Sequence, residues 1–152
     1  MAGVDLVGLR RRWYQAFAKM HGRLLVRTNG RPEHLTPRLR CLVLHTTGRH
    51  SGRPRRVALL YMPDGDSFVV LASNFGQDRP PGWWQNLGAR PECTVGVRGR
   101  SVPVVARELL GGEREATLSR AMAYNKQWRG YAATMRRTLP VIRLEPTPAP
   151  NS

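Results

Sequence analysis

Apolar residues at the start of the chain recur every three or four positions, which is the spacing of one face of an α-helix. This stripe consists of Leu6, Leu9, Trp13, Phe17, Met20 and Leu24. Most basic residues of the segment lie off the stripe, so the pattern predicts an amphipathic helix over 5–26 with Asp5 as its N-cap. Such a stripe is suited to packing on a domain core, to lying on an anionic membrane or to binding a partner helix. The pattern leaves these three interpretations open.

From residue 40 onwards the pattern changes to short apolar runs separated by turn residues, which is typical of antiparallel strands. We expect six strands, over 40–45, 56–62, 67–73, 93–97, 101–106 and 140–144. The turn at Asp64-Gly65 joins the second and third strands into a hairpin, and the one at Arg98-Gly99 joins the fourth and fifth. The stretch 29–38, which contains two prolines, is expected to be a connecting loop.

Two further helical segments complete the predicted elements. Proline is favoured in the first turn of a helix, so Pro81 predicts a short helix over 81–87. Apolar residues from Leu118 to Met135 return to helical spacing, with a break expected near Tyr124-Asn125 or at Gly130. The elements together predict an α+β domain in which about six mostly antiparallel strands form a small barrel with flanking helices. We divide the chain into an N-terminal helix (1–28), the barrel domain (29–146) and a disordered tail (147–152).

The net charge of +15 is unevenly distributed, because residues 1–60 contain 13 Lys and Arg against only two acids. Such a positive field attracts nucleic acid, an acidic membrane surface or a polyanionic cofactor. The arginines concentrate in one helix and one loop, without a row of aromatic residues along a strand, so we expect no nucleic-acid partner. The chain contains no apolar run long enough to span a membrane and no apolar signal core. We therefore expect a cytoplasmic protein whose basic N-terminal helix is the place of any peripheral membrane contact.

The sequence shows no set of side chains that carries out a reaction alone. Two distant cysteines do not form a disulfide framework, and the four histidines have no companions at metal-ligand spacing, so we expect no metal site. A chain without reactive groups of its own can obtain its chemistry from an organic cofactor. The segment from Thr46 to Tyr61 is the candidate for holding one. Its glycines allow backbone N–H groups to converge, and its arginines suit a phosphate or carboxylate, although a solvated basic turn has the same composition.

Several motifs follow one another between Arg40 and Pro146. They are Thr46-Thr47-Gly48-Arg49-His50-Ser51-Gly52-Arg53-Pro54-Arg55-Arg56, Leu59-Leu60-Tyr61, Asp64-Gly65, Ala72-Ser73-Asn74, Pro81-Gly82-Trp83-Trp84-Gln85-Asn86-Leu87 and Leu139-Pro140-Val141. In order and spacing they resemble the deazaflavin (F-420)-dependent nitroreductase and quinone reductase family. The resemblance implies a split β-barrel of the FMN-binding type and the coenzyme F-420, whose tail is anionic, with FMN as the alternative cofactor.

The resemblance also implies an activity. The expected reaction is transfer of a hydride from reduced F-420 to a small electron acceptor such as a quinone or a nitroaromatic compound. The alternative is a non-catalytic flavin, deazaflavin or haem binding or carrier protein of the same fold. Proteins of this barrel type often pair, so the expected assembly is a monomer or a homodimer.

Individual residues are assigned by their match to the family motifs. The residues assigned to the coenzyme are Arg49, His50, Ser51, Gly52, Arg55, Arg56, Val57, Ser73, Asn74, Trp84, Asn86 and Leu87. Those assigned to the substrate pocket are Tyr61, Phe75, Trp128 and Tyr131, and Ser73, Tyr131 and Tyr124 are the catalytic candidates. Two positions depart from the family pattern, since His50 stands where relatives often have lysine and Phe75 where they often have glycine.

Overall fold

The computed structural model describes residues 19–31, 34–36 and 39–148. The rest of the predicted N-terminal helix, over 5–18, and the last four residues of the predicted tail lie outside the described residues. The first described element is a helix over 19–28, which we call α1. Since no comparison tests the division of the chain at residues 28 and 146, it stays a prediction.

The strands form a single antiparallel sheet that closes on itself. They are β1 (His34–Thr36), β2 (Leu39–Thr47), β3 (Pro54–Asp64), β4 (Ser67–Leu71), β5 (Glu92–Val97), β6 (Arg100–Glu108) and β7 (Val141–Pro146). The order is β1-β2-β3-β4-β7-β6-β5, and β2 also pairs with β5, so β2 to β7 complete a six-stranded barrel. The predicted barrel and its six strands are confirmed. The short β1 pairs with the first residues of β2, in the stretch where we expected only a loop.

Helices cover parts of the barrel surface. They are α2 (Gly82–Ala89), α3 (Gly111–Tyr124) and α4 (Lys126–Thr134), and a 3-10 turn occupies Asn74–Gly76. Asn125 ends α3, and its side chain accepts a hydrogen bond of 3.0 Å from the backbone N–H of Gln127, which caps α4. The predicted break at this position is confirmed. None of the described helices is long and apolar enough to cross a membrane.

Side chains along the strands face alternately into and out of the barrel, which produces an inner core and an outer core. Because successive strand residues face opposite sides of a sheet, Leu42 and Leu44 of β2 lie in the barrel interior, whereas Cys41 and Val43 lie outside beneath α1. The outer surface of β4 and β7 is covered by α3 and α4, which bury Trp128. One patch of the outer barrel surface is therefore covered by α1, and another by α3 and α4.

A chain of ion pairs joins α3 to the outer surface of β3, β6 and β7. Arg143 bonds both Asp64 and Glu113, and Arg107 bonds both Glu113 and Glu145. These bonds hold the pKa of Glu113 at about 2, well below its ordinary value of 4.5, chiefly through the hydrogen bonds from Arg107 and Arg143. The charged form of Glu113 is therefore favoured in the folded protein.

This network predicts a specific loss of stability in acid. Because the folded-state pKa of Glu113 is lowered, its contribution is complete above about pH 4.5 and disappears as the pH falls towards 2. In denaturant titrations between pH 7 and pH 2, Glu113→Gln is expected to be less stable than the wild type at neutral pH, with the difference vanishing in acid. Glu92→Gln removes a carboxylate outside the network and serves as the control. A constant difference between Glu113→Gln and the wild type at all pH values would contradict the prediction.

Candidate active site

The loop between β2 and β3 is a compact turn in which two glycines have different tasks. The backbone N–H of Gly48 donates to the carbonyl of Arg53, and that of Gly52 donates to the carbonyl of Gly48, both over 2.8 Å. A Cβ atom on Gly48 would come within 2.6 Å of the Ser51 hydroxyl oxygen, so any side chain here would displace the Ser51 hydroxyl. Gly52 has a φ of +67°, which glycine adopts without strain. The loop is thus a defined structure and not merely a solvated connection.

Asn86 of α2 fixes this loop from the side. Its side-chain oxygen accepts from the backbone N–H of Arg49 over 3.1 Å and from the Arg49 guanidinium over 3.3 Å. Its amide nitrogen donates to the Thr46 hydroxyl over 3.3 Å. Only 7% of Asn86 is exposed, so these bonds are shielded from water. One buried amide therefore connects the helix, the end of β2 and the loop.

A basic cavity of about 400 Å³ lies between the loop and α2. It is lined by Thr46, Gly48, Arg49, His50, Ser51, Arg55, Arg56, Val57, Gly82, Trp83 and Asn86. No acidic residue is among these, and within the described part of the chain Arg55 and Arg56 form no ion pair. Guanidinium groups without a carboxylate partner favour an anion beside them. We call this space the basic cavity.

The half-buried His45 of β2 is also affected by the positive charge of Arg56, which lines the basic cavity. Its Nε2 is 3.0 Å from the side-chain oxygen of Asn29, at the end of α1. Burial, and after it the charge of Arg56, lower the pKa of His45 below its usual value. Because an amide oxygen accepts, His45 donates from Nε2, and this bond helps to attach the end of α1 to the barrel.

A second space, the large cavity, has a volume of about 760 Å³ and lies between α1, β3 and α4. It is lined by Lys19, His21, Gly22, Arg23, Leu25, Val26, Arg27, Cys41, Arg56, Val57, Ala58, Leu59, Leu60, Leu71, Ser73, Asn74, Pro81, Trp83, Trp128 and Tyr131. Three of these residues, Arg56, Val57 and Trp83, also line the basic cavity. The two cavities therefore meet along these shared side chains, one end being basic and the other mainly apolar.

Arg137 holds the segment that follows β4 against the large cavity. Its guanidinium donates to the carbonyl oxygens of Ala72 and Ser73 over 2.9 and 3.3 Å, and to that of Gln77 over 3.1 Å. Burial lowers the pKa of Arg137, an effect that the charge of Asp78 partly opposes. With three carbonyls held by one side chain, Ser73 has a fixed position on the cavity wall.

Most of the sequence-predicted site residues come together around the two cavities. The basic cavity contains Arg49, His50, Ser51, Arg55, Arg56, Val57 and Asn86. The large cavity contains Arg56, Val57, Ser73, Asn74, Trp128 and Tyr131. Gly52 forms the turn of the loop, and Phe75 belongs to the 3-10 turn beside Asn74. Residues from the motifs that carried the resemblance therefore line both cavities.

Other predicted residues lie elsewhere, for reasons of strand and helix geometry. Tyr61 was expected in the substrate pocket, but it lies on the inner row of β3 and is only 3% exposed inside the barrel. Leu87 is likewise buried in the barrel core. Trp84 donates from its indole nitrogen to Glu108 over 2.9 Å, and Tyr124 packs in the outer core. None of these four lines the basic or the large cavity as the described residues define them.

Sequence reasoning missed Trp83 and the wall formed by α1. Adjacent helix residues point about 100° apart, so only one of Trp83 and Trp84 can face a given cavity. The structure selects Trp83. The described members of the predicted stripe, Met20 and Leu24, are 65% and 48% exposed, whereas Leu25, one position off the stripe, is 1% exposed and lines the cavity. The signal was amphipathicity alone, which is common to packing and to binding.

The two cavities fit a ligand that has an anionic tail and a planar, mainly apolar head. The donors of the basic cavity suit phosphate and carboxylate groups, and the shared residues lead directly to apolar walls. Coenzyme F-420, with its deazaflavin head and its phosphate and polyglutamate tail, has this character. In such a fit Arg55, Arg56 and Ser51 would hold the tail, and Val57, Ser73 and Asn74 would adjoin the head.

Removing the buried amide tests how firmly the loop is fixed. Asn86→Ala leaves the Arg49 N–H and the Thr46 hydroxyl without their partners, so we expect the free energy of unfolding to fall by about 1–3 kcal/mol. Affinity for F-420 should fall as well, because the loop loses its attachment to α2. Gln85→Ala, one position earlier on the same helix, is the control. Denaturant titration and coenzyme titration measure the two effects, and an Asn86→Ala protein that behaves like Gln85→Ala in both would refute the role.

Comparison with known proteins agrees with this arrangement. Residues 17–146 match the family model described as F-420H(2)-dependent quinone reductase. An F-420H(2)-dependent quinone reductase of Mycobacterium tuberculosis is 32% identical over 130 residues, which cover 83% of this chain and 87% of the relative.

Solved structures share the barrel fold of this chain. The F-420-H2 dependent reductase FDR-A has a TM-score of 0.64 and 30% identity, covering 69% of this chain and 93% of its own. A structure described as a domain-swapped dimer has a TM-score of 0.66 and 27% identity, covering 90% and 99%. The haem storage protein HutZ of Vibrio cholerae, at 13% identity and a TM-score of 0.56 over 82% and 89%, shares the fold.

These matches confirm the predicted split barrel, the oxidoreductase class and F-420 as the coenzyme. The family model spans nearly all of the described residues, including both cavities and every strand. The chain belongs to the F-420H(2)-dependent quinone reductase family.

Proposed function

We propose that the basic cavity and the large cavity together hold coenzyme F-420 and a quinone, and that the chain reduces the quinone there. The observation that carries this proposal is the junction of the cavities at Arg56, Val57 and Trp83. A tail-binding site that opens directly into a larger apolar space allows one ligand to extend through both. The volume that remains in the large cavity is then available to a flat acceptor beside it.

The residues of the basic cavity bind and orient. Arg55 and Arg56 neutralise the charge of the tail, and the Ser51 hydroxyl and the loop N–H groups add hydrogen-bond donors. Asn86 keeps the loop in place, which lowers the ordering cost of binding. His50 lines the same cavity beside these donors.

The residues of the large cavity shape the reacting space. When bound, the coenzyme supplies the hydride. Val57 and the fixed Ser73 lie where the ring system would enter, and Ser73 is the candidate for a hydrogen bond to it. Trp128 and Tyr131 of α4 form one wall for the acceptor, and Leu25 of α1 also lines the cavity. Apolar walls exclude water, which protects the hydride from loss to solvent and strengthens the remaining polar contacts.

A turnover assay tests the proposal directly. Purified protein is mixed with reduced F-420 and menadione, and re-oxidation of the coenzyme is followed by its absorbance. We expect a rate well above the protein-free control, and a nitroaromatic compound in place of menadione tests the wider acceptor range. Tight coenzyme binding without any turnover would instead indicate a non-catalytic binding or carrier protein.

The two predicted catalytic tyrosines should behave differently. Tyr131 lines the large cavity, whereas Tyr124 packs in the outer core. If Tyr131 donates a hydrogen bond to the quinone oxygen, Tyr131→Phe lowers kcat/KM for menadione about ten-fold, the equivalent of one lost bond. Coenzyme affinity should stay unchanged in this variant. Tyr124→Phe is the matched control, and an equal loss in both variants would contradict a role specific to Tyr131.

We also propose peripheral membrane contact through α1, which its exposed surface supports. Met20 and Leu24 are 65% and 48% exposed, and Lys19, Arg23 and Arg27 belong to the same helix. Exposed apolar side chains beside cations suit an anionic bilayer, and the same helix borders the large cavity, where a lipophilic quinone would enter. Co-sedimentation with phosphatidylglycerol vesicles should exceed that with phosphatidylcholine vesicles. Met20→Ser/Leu24→Ser should reduce it, and equal sedimentation of variant and wild type would exclude α1 as the contact.

The assembly we propose is a homodimer. The solved structure that covers 90% of this chain at 27% identity is described as a domain-swapped dimer, which supports pairing of the same barrel here. Light scattering after size-exclusion chromatography should give twice the mass of one chain. A single-chain mass across the accessible concentration range would show that the protein is a monomer.

A further inference from the structure

Two arginines occupy rows of the barrel that otherwise face its apolar interior. On β2 the inner row continues from Leu44 and Leu42 to Arg40, and on β6 it continues from Val104 and Val102 to Arg100. Pairing across the ladders agrees, because Arg40 is opposite Tyr61.

These arginines border a third space, which we call the distal cavity. Its volume is about 510 Å³. It is lined by Arg31, Arg40, Tyr61, Pro63, Gly65, Asp66, Ser67, Phe68, Val97, Arg98, Arg100 and Val102. Tyr61 and Phe68 meet edge to face, with ring centres 5.4 Å apart and ring planes at 72°. The cavity thus combines aromatic and aliphatic side chains with a cationic border.

The charges of the distal cavity are unbalanced. Among its described lining residues are four arginines and one acid, the exposed Asp66. Arg40 and Arg100 form no ion pair with any described residue. Arg31 donates to the carbonyl of Arg98 over 3.0 Å, which fixes it at the border. Arg100 is exposed and Arg40 is half-buried, so both guanidinium groups can be reached by an anion that enters from solvent.

The distal cavity is separate from the coenzyme site. Arg40 lies at the start of β2 and Thr46 near its end, so roughly 20 Å of strand separates the two cavities. Leu42 and Leu44, which are completely buried, fill the barrel between them. A ligand in one cavity therefore does not reach the other.

We propose that the distal cavity binds a small amphipathic anion, of the aromatic carboxylate or sulfonate class. Its charged group lies between the guanidinium groups of Arg40 and Arg100, which supply paired donors. Its ring lies against Tyr61 and Phe68, where aromatic edges and faces favour a flat partner. This site is independent of the quinone reductase reaction.

The fluorescent probe 8-anilinonaphthalene-1-sulfonate tests the site with the full chain, in the presence of saturating F-420. We expect the probe to bind under this condition, and Arg40→Gln/Arg100→Gln to weaken it by about ten-fold or more, as lost charge-assisted bonds require. Arg53→Gln/Arg90→Gln removes the same charge from exposed positions outside the described cavities and should leave the affinity unchanged. The neutral analogue N-phenyl-1-naphthylamine should not distinguish the two double variants.

Two results would overturn the proposal. One is probe binding that weakens equally in both double variants, which would indicate the general positive field. The other is loss of all probe binding when F-420 saturates the protein, which would place the probe in the coenzyme site. Should Arg40→Gln/Arg100→Gln not fold, calorimetry on the wild type decides. At saturating F-420, 2-naphthoate must bind at least about ten-fold more tightly than neutral 2-naphthol, and equal binding would refute the site.

Discussion

Replacing Arg55 and Arg56 together with alanine is expected to weaken the binding of coenzyme F-420 by about two to four powers of ten. Both guanidinium groups line the basic cavity, and neither has an acidic partner among the described residues. A hydrogen bond to a charged group contributes about 1.5–3 kcal/mol, so two such bonds contribute about 3–6 kcal/mol. Each 1.4 kcal/mol corresponds to about a factor of ten in the dissociation constant.

Quenching of the coenzyme's fluorescence measures the affinity. Arg53→Ala/Arg90→Ala is the matched control, since it removes two exposed arginines that line neither cavity. The control should lose only the small part of its F-420 affinity that comes from the overall positive charge of the protein. Raising the salt concentration should remove this difference between the control and the wild type. If both double variants bind F-420 equally well, the basic cavity is not the site of the tail.

Trp128→Ala is expected to lower the free energy of unfolding by about 3–5 kcal/mol, the usual cost of removing a buried aromatic side chain. Trp128 is only 3% exposed and belongs to the outer core between α4 and the barrel. Its removal leaves an opening between that core and the large cavity, so the unfolding transition should shift strongly.

The neighbouring exposed Arg129→Ala is the control for the stability measurement and should change it little. Trp128→Phe separates packing from recognition, because it keeps an aromatic ring in the outer core. We expect this variant to retain most of the stability and to show a raised KM for menadione. A Trp128→Ala protein as stable as Arg129→Ala would contradict the packing described for the outer core.

The barrel was predictable because its signals are local. Short apolar runs, turn residues at Asp64-Gly65 and Arg98-Gly99, and the cap at Asn125 each act over a few residues. Each of these signals has its counterpart in the fold. The three-residue β1 escaped prediction because so short a strand carries no periodicity of its own.

The loop between β2 and β3 was also predictable, because its residues are contiguous. Its glycines and arginines stand within one segment, so the motif contains most of the basic cavity. The walls of the large cavity come instead from α1, β3 and α4, which are distant in sequence and meet only through packing. For that reason the sequence indicated Trp128 and Tyr131 by resemblance but gave no indication that Leu25 lines the same cavity.

Tyr61 illustrates a different limit. Its motif position suggested a substrate contact, but the inward or outward direction of a strand residue depends on which rows close the barrel. The inner row of β3 contains Val57, Leu59 and Tyr61. Val57 is near the start of β3 and lines both the basic and the large cavity. Tyr61 lies further along β3, at the opposite end of the barrel, and lines the distal cavity.

The cap at Asn125 makes α4 a short, separate helix, and this has a consequence for how the activity can diversify. The cavity wall on α4 and the loop after β2 are far apart in the sequence, so substitutions in one need not disturb the other. A mutant library confined to the cavity-facing positions of α1 and α4 should therefore yield enzymes with new acceptors and an unaltered demand for the same coenzyme. Coenzyme binding would then stay constant across the library while the choice of acceptor varies.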